Sequence, residues 1–358
     1  MKKLYTMIAA SVLAIAPAAA QTLQSGYFLD NYAYSYRFNP SLMNEKSFFA
    51  IGLGNITTSV SSDLGINNFL LPNAAGDGLV TAFHPSVTSE QFLSGMNDVN
   101  SFRMGLNYNV LALGIRTSKS MFNLEVNVRE DLSLGVPKGL FSFIKNGSSE
   151  TAYDFSGLGI TEKAVGEIAI GYAKSFGKFD AGIRLKGLVG GVAAEALLSR
   201  AEIVVNGNEV SADVVADARL ATSGLEIQFS NGQLDPETIR FQPQTIAPIG
   251  LGGAIDLGLT WNPIKYISVT AGVSDLGFIK WNYNLLGTSS GNVKFTGLKE
   301  VDISGDPKTN IEEEMNKLTE DLMKLADFKF EETTLSVLCS ALGTGEVSSV
   351  SPSGRQTR

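Results

Sequence analysis

Along much of the chain, apolar residues return at every second position. The clearest run sets Leu251, Gly253, Ile255, Leu257, Leu259 and Trp261 on one face and Gly252, Ala254, Asp256, Gly258 and Thr260 on the other. A period of two is the signature of a strand. After Asn262-Pro263-Ile264-Lys265, a turn by composition, Ile267, Val269, Ala271 and Val273 begin a second strand. Phe122, Leu124, Val126 and Val128 alternate with Asn123, Glu125, Asn127 and Arg129. Ile168, Ile170 and Tyr172 form one arm of a further hairpin, and Phe179, Ala181, Ile183 and Leu185 the other. Phe102, Met104, Leu106, Tyr108 and Val110 alternate as well, before the phase slips to Leu111, Leu113 and Ile115, as a β-bulge makes it.

Short connections near 117–120, 175–178 and 262–265 alternate with long ones near 61–100, 130–163, 193–249 and 286–332. Strands of about ten residues with one apolar face suit a transmembrane barrel. They also suit a soluble antiparallel sandwich, in which one face packs on a core. The second face separates the two. A sandwich predicts Lys, Glu and Thr there, whereas Gly, Ala, Ser and Asn prevail. Tyr108, Tyr172 and Trp261 stand where an interfacial girdle would need them. The expected fold is therefore all-β, an antiparallel transmembrane barrel with long external loops, and a secreted sandwich is the alternative. Two loop helices are predicted. One covers 137–145 and is closed by Gly147. The other covers 309–326, with Thr309 and Glu312 as a capping box and Ile311, Met315, Leu318, Leu322 and Leu325 on one stripe.

The first twenty residues read differently. Lys2 and Lys3 precede an apolar stretch from Leu4 to Ala16, and Pro17-Ala18-Ala19-Ala20 precedes Gln21. This is a signal peptide with cleavage between Ala20 and Gln21. Elsewhere no apolar run is long enough for a membrane helix, the best (187–198) being broken by Glu195. The chain is thus expected in the cell outer membrane, where its lipid and the barrel-assembly machinery are its first partners. Removing Lys2 and Lys3 from the 28 basic residues leaves 26 against 36 acidic, a net of −10, which does not attract nucleic acid.

Candidate chemistry is sparse. With one Cys (Cys339) and one His (His84), no disulfide, zinc finger or multi-His metal centre is expected. Gly52-Leu53-Gly54 and Gly157-Leu158-Gly159 do not complete a dinucleotide loop. No Ser is singled out as a nucleophile for His84. The reading is of a non-enzyme with no cofactor. Asn123, Glu125, Asn127, Arg129, Arg184, Lys186 and Asp256 lie opposite apolar strand faces and are candidates to line or fill a lumen. Both charge signs occur among them, so no ring of one sign announces selectivity.

Three segments carry a resemblance: Arg37-Phe38-Asn39-Pro40-Ser41-Leu42, Gly182-Ile183-Arg184-Leu185-Lys186 with Gly190-Gly191-Val192-Ala193, and Val273-Ser274-Asp275-Leu276-Gly277-Phe278-Ile279-Lys280-Trp281. Over roughly 26–330 the chain resembles a Bacteroidota outer-membrane β-barrel family of unknown function, similar in style to fatty-acid-transporter and porin-like barrels. The resemblance implies structural signature roles for Arg37, Asn39, Pro40, Asp275, Gly277 and Trp281. Ser41 replaces the usual Ala. It also implies passive transport of a small or hydrophobic solute, with a structural or surface-interaction barrel of plugged lumen as the alternative.

The expected organisation is a signal peptide (1–20), an N-terminal segment (21–45) able to tuck into the lumen, a barrel (46–338) and a tail (339–358). The tail is rich in Ser and Gly, contains Pro352 and lacks apolar alternation, so no strand is expected in it. On this reading the barrel is incomplete and the C-terminus truncated or altered, and assembly is poor unless 46–60 pairs directly with 292–298 or 328–338.

Overall fold

The computed structural model describes residues 32–73, 78–147, 152–206, 209–226, 229–230, 233–234, 240–242, 244, 247–264, 267–295, 328–340 and 346–347. The long strands are β1 (Phe48–Ser62), β2 (Val99–Arg116), β3 (Ser120–Pro137), β4 (Gly159–Ser175), β5 (Phe179–Asn206), β6 (Glu209–Ala221), β7 (Gly250–Ile264), β8 (Ile267–Phe295) and β9 (Lys329–Ser340). They form one antiparallel sheet in the order β1-β2-β3-β4-β5-β7-β8-β9. The gap between β5 and β8 is filled twice. β7 pairs with their first halves, and β6 pairs with Ala193–Asn206 of β5 and Leu285–Phe295 of β8.

The sheet rolls up on itself. Arg129 of β3 meets Asp275 of β8 at 3.1 Å, although β4, β5 and β7 separate their strands in the sheet. Lys163 of β4 likewise approaches the Cys339 sulfur of β9 at 3.6 Å. Sheet twist and coiling produce such closure. Among the described residues no ladder joins β1 to β9 or to the end of β8. The expected direct pairing of 46–60 with 292–298 or 328–338 is thus not formed by them, and the roll is held by these contacts across its interior.

The alternation read from the sequence sets which side each residue takes. On β7, Leu251, Leu257, Leu259 and Trp261 face outward, while Ala254, Asp256 and Thr260 are buried inside. On β5, Ile183, Leu185 and Val189 are exposed and Arg184, Lys186 and Leu188 are buried. Large apolar side chains thus cover the outside, and many polar ones are enclosed. This inverts the arrangement of a water-soluble protein. The bulge foreseen after Val110 is present, since the register of β2 against β3 jumps between Asn109 and Leu111. A second bulge was not foreseen. Between β7 and β8 the register jumps from Ile255/Leu276 to Leu257/Val273, and Asp275 there takes φ +57°, the only non-glycine residue with positive φ among those described.

Several expectations are corrected. The segments 193–249 and 286–332 were expected as connections, but β5 runs on to Asn206, β6 follows, and β8 continues to Phe295. Tyr108 does not stand at a strand end beside the short turns, as Tyr172 and Trp261 do. It lies mid-strand opposite Ile56 and Val128, because β2 extends eight residues beyond it toward the short-turn end. The exposed aromatics beside the short turns are instead Phe49, Phe122, Tyr172, Phe176, Phe179 and Trp261, with Phe122 on Tyr172 and Phe179 stacked on Trp261. The tail was expected to hold no strand. Cys339 and Ser340 nevertheless pair with Ile279 and Phe278, and Glu346–Val347 adds to Leu338 and Cys339. Leu335, Val337 and Cys339 share the inward face, so the alternation simply runs past 338.

At the long-loop end, α1 (Ile66–Phe69), α2 (Ser89–Leu93) and α3 (Lys138–Asn146) pack a small core of Leu64, Ala82, Val87, Phe92 and Met96, flanked by Phe69, Phe102 and Phe141. The helix predicted at 137–145 is α3, with Gly147 as its C-cap at φ +58°. The helix predicted at 309–326 and the cleavage site Ala20/Gln21 lie outside the described residues.

Candidate functional site: the lumen

Two-residue spacing places Asn123, Glu125, Asn127 and Arg129 on the inner face of β3, Arg184 and Lys186 on that of β5, and Asp256 on that of β7. All seven sequence candidates meet in the lumen. Arg184 donates to both Glu125 and Asp256, at 3.0 Å for the latter. Lys186 reaches Asp256 at 2.9 Å and Asp275 at 2.6 Å. Arg129 reaches Asp275 at 3.1 Å and Glu167 at 3.4 Å, and Asn127 also donates to Glu167. Charges this enclosed persist because each has opposite partners; removing one member would leave a buried charge uncompensated.

A segment of chain completes the network. Residues 32–44 enter the barrel and turn through a short 3₁₀ helix at Ser35–Arg37. Tyr36 is wholly buried, its hydroxyl donating to Glu125 Oε1 at 2.8 Å while its ring lies under the Arg184 guanidinium. Arg37 donates through Nε to the same Glu125 oxygen at 2.7 Å and through Nη2 to Asn127 at 2.8 Å. Beyond the helix, Asn39 donates to the Ala271 carbonyl at 3.1 Å. The Ser41 hydroxyl donates to Asn39 Oδ1, so Thr260, 2.7 Å from Ser41, donates in turn to Ser41. With Arg37 included, four cations (Arg37, Arg129, Arg184, Lys186) balance four anions (Glu125, Glu167, Asp256, Asp275).

The wall makes room for this plug. A Cβ on Gly182 would collide with the Pro40 carbonyl, and one on Gly258 with the Asn39 side chain and Ser41 N. Gly272 also faces Asn39. The Asn39-Pro40-Ser41 signature therefore sits in a notch cut by glycines of three neighbouring strands. The later signature has its own geometry. Asp275 N donates to Asp256 Oδ1 at 2.7 Å across the bulge, and Gly277 lets β8 approach Gly253 and Ala254 of β7. Trp281 turns inward over Gly190 and Gly250 and is only 1% exposed.

Above the ion network, the lumen becomes apolar. Ile279, Trp281, Tyr283, Val337, Cys339, Leu188 and Ile249 form one buried cluster, with Leu335 and Val165 packed against it. Nearby, a cavity of about 150 Å³ lies between Ser133, Thr161 and Glu195, and Arg219 holds Glu195 at 2.5 Å. Not every buried polar atom finds a protein partner: the side-chain oxygens of Asn107, Asn109 and Asn123 and Arg184 Nε have none.

The remaining candidates stand apart. His84 lies in the exposed loop, its Nδ1 within 2.8 Å of the Ser86 hydroxyl. Gly52 occupies the irregular stretch of β1 at φ +78°, and Gly157 turns beside Val99 at φ +89°. Among the described residues, no group of three or more His, Cys, Asp and Glu is placed to hold a metal ion. Sequence reasoning missed Glu167 and the ionic role of Asp275. Glu167 was recoverable, since it alternates with Ile168 and Ile170 on β4. Nothing in the sequence announces that Tyr36 would share Glu125 with Arg37.

Residues 40–343 match a family of unknown function, DUF5723. No curated protein and no solved structure matches the chain.

Proposed function

The chain belongs to the family of unknown function DUF5723, and from its own geometry we propose that it is a lipid-embedded outer-membrane β-barrel, sealed from within and serving as a non-enzymatic scaffold for its long loops. One observation carries this reading: the outside is apolar where the inside is charged. On β3 the outer face is uncharged from Phe122 to Val128, and Glu130 marks its upper limit. On β7 it is uncharged from Leu251 to Trp261, and on β8 from Val269 to Phe278, where Lys280 follows. About ten residues at about 3.3 Å each, tilted by about 40°, span about 25 Å, the height of a barrel's lipid-facing band. Exposed aromatics at the short turns fit one edge of that band, and the signal peptide supports export across the inner membrane. Water on this surface would be far more costly than hydrocarbon.

A passive route for a small or hydrophobic solute would require residues 32–44 to leave the lumen, so the resting barrel supports the scaffold reading. The test is extraction and gel migration of the full chain. The expected result is a detergent-requiring protein whose folded form runs compactly and shifts on heating, with no steady conductance in planar bilayers. A folded monomer released to the aqueous phase without detergent would overturn the embedded barrel. A steadily conducting full-length chain would overturn the sealed lumen.

A further inference from the structure

We propose that the plug is also the counter-ion of the lumen, and that displacing it converts the barrel into a cation-selective pore. The inference rests on the reading of the chain as a lipid-embedded barrel. Its first support is the shape of the wall. Where the plug lies against the wall, the inner face carries Gly182, Gly258, Gly272 and Ala112, so the wall's own side chains leave that part of the interior to residues 32–44. Among the described residues, 32–44 alone take up that space, so their withdrawal should open a channel.

The second support is the charge count. Arg37 is the plug's only member of the ion network. With the plug withdrawn, three cations (Arg129, Arg184, Lys186) face four anions (Glu125, Glu167, Asp256, Asp275) in the network that the plug leaves behind. Glu125 keeps Arg184 as partner, so the wall remains paired while the lumen turns net negative. Beyond this network the inner-face charges come in balanced sets. Asp131 stands opposite Lys163, Glu195 is matched by Arg219, and Asp180 and Arg116 add one charge of each sign toward the short turns. Arg103 lies farther up, at the level of Ser133. A fixed negative excess at a constriction favours cations over anions. The third support is that the lumen is built for water. Asn109 and Asn123 are buried polar side chains whose oxygens have no protein partner, as a hydrated path requires.

Planar-bilayer recording in a KCl gradient tests this, with a chain lacking residues 32–44. The expected result is steady conductance with K⁺ preferred severalfold over Cl⁻. Asp275→Asn in that background leaves three charges of each sign and keeps a residue tolerant of positive φ, so the preference should fall to near unity. A second arm covers misfolding of the deletion. Ser41→Cys with Thr260→Cys, in a Cys339→Ser chain, joins plug to wall where the two hydroxyls now touch. Voltage-driven openings should be present when this pair is reduced and abolished when it is oxidised. Gel migration keeps the two readings apart. Absence of any compact, heat-shifted form in the full chain counts against the embedded barrel itself. A compact deletion variant that is silent, anion-preferring or unselective overturns the counter-ion role, as do openings that persist after oxidation.

Discussion

The two halves of the lumen solve one problem in opposite ways. Toward the long loops, the inner faces of β8 and β9 carry Ile279, Trp281, Tyr283, Val337 and Cys339, and the strands fill the barrel themselves. Toward the short turns, the inner faces carry glycine, alanine and charge, and a separate piece of chain supplies the filling. Both halves obey the same two-residue alternation. What differs is the source of the core. The upper half is held by apolar packing that any close-packed interior would recognise. The lower half is held by complementarity between a polar insert and a polar wall, which stabilises only when every partner is present.

Mutations can test that contrast, and the largest effect is expected at Arg184. Arg184→Ala leaves Glu125 and Asp256 buried without their shared cation, and should cost about 3–5 kcal/mol. A denaturant midpoint in detergent would show it, and pairing Arg184→Ala with Tyr36→Phe should give a strongly non-additive result. If Arg184→Ala is nearly neutral, the lower half is not held by charge. Trp281→Ala probes the other half, where loss of a ring packed on Gly190 and Gly250 should cost about 3–4 kcal/mol. That loss should be insensitive to the plug, so additivity with Arg184→Ala is expected, and coupling between them would break the division into halves.

Gly258→Val tests the notch. Its side chain would occupy the place of Asn39 and Ser41, and overpacking should cost about 1–3 kcal/mol. The same variant should loosen the plug, seen as faster protease cleavage within residues 32–44. The smallest effect belongs to the loops. The Ser156 hydroxyl and then its backbone N–H bond the Asp154 carboxylate, holding it below the usual carboxylate range. A depressed folded-state pKa stabilises above the unfolded value and is lost as pH falls through the folded one. Asp154→Asn should therefore lose roughly a few tenths of a kcal/mol at neutral pH, with the deficit shrinking below about pH 4. Equilibrium unfolding at pH 7 and pH 3.5 would resolve it.

Much of this contrast was legible in the residues. Leu251 to Trp261 fixed both faces of β7, and the phase slip after Val110 located a real bulge. The limits were equally physical. Val273-Ser274-Asp275-Leu276 satisfies either phase of an alternating strand, so the bulge at Asp275 is invisible without its partner strand. β6 escaped because 193–221 lacks the apolar outer face used to recognise the other strands. The β-branched runs Ile203-Val204-Val205 and Val214-Val215, on either side of Asn206-Gly207-Asn208, were the signal that was available. The lumen candidates were identified one by one from their positions opposite apolar neighbours. Their pairing was not, because it depends on which strands face each other across a rolled sheet.

The bulge at Asp275 bears on how this chain can change length over generations. A single-residue deletion in the upper part of β8, at Phe278 for example, would swap sides for one stretch of the strand and turn Trp281 and Tyr283 toward the exterior or Ser274 and Asp275 out of the lumen. At 274–275 two residues already oppose Asp256 alone, so losing one restores plain alternation and leaves Val273, Leu276 and Trp281 on their present sides. Within this strand, drift by one residue is therefore tolerated topologically at that point, and the toll there is chemical: the left-handed aspartate that ties Lys186 and Arg129 together.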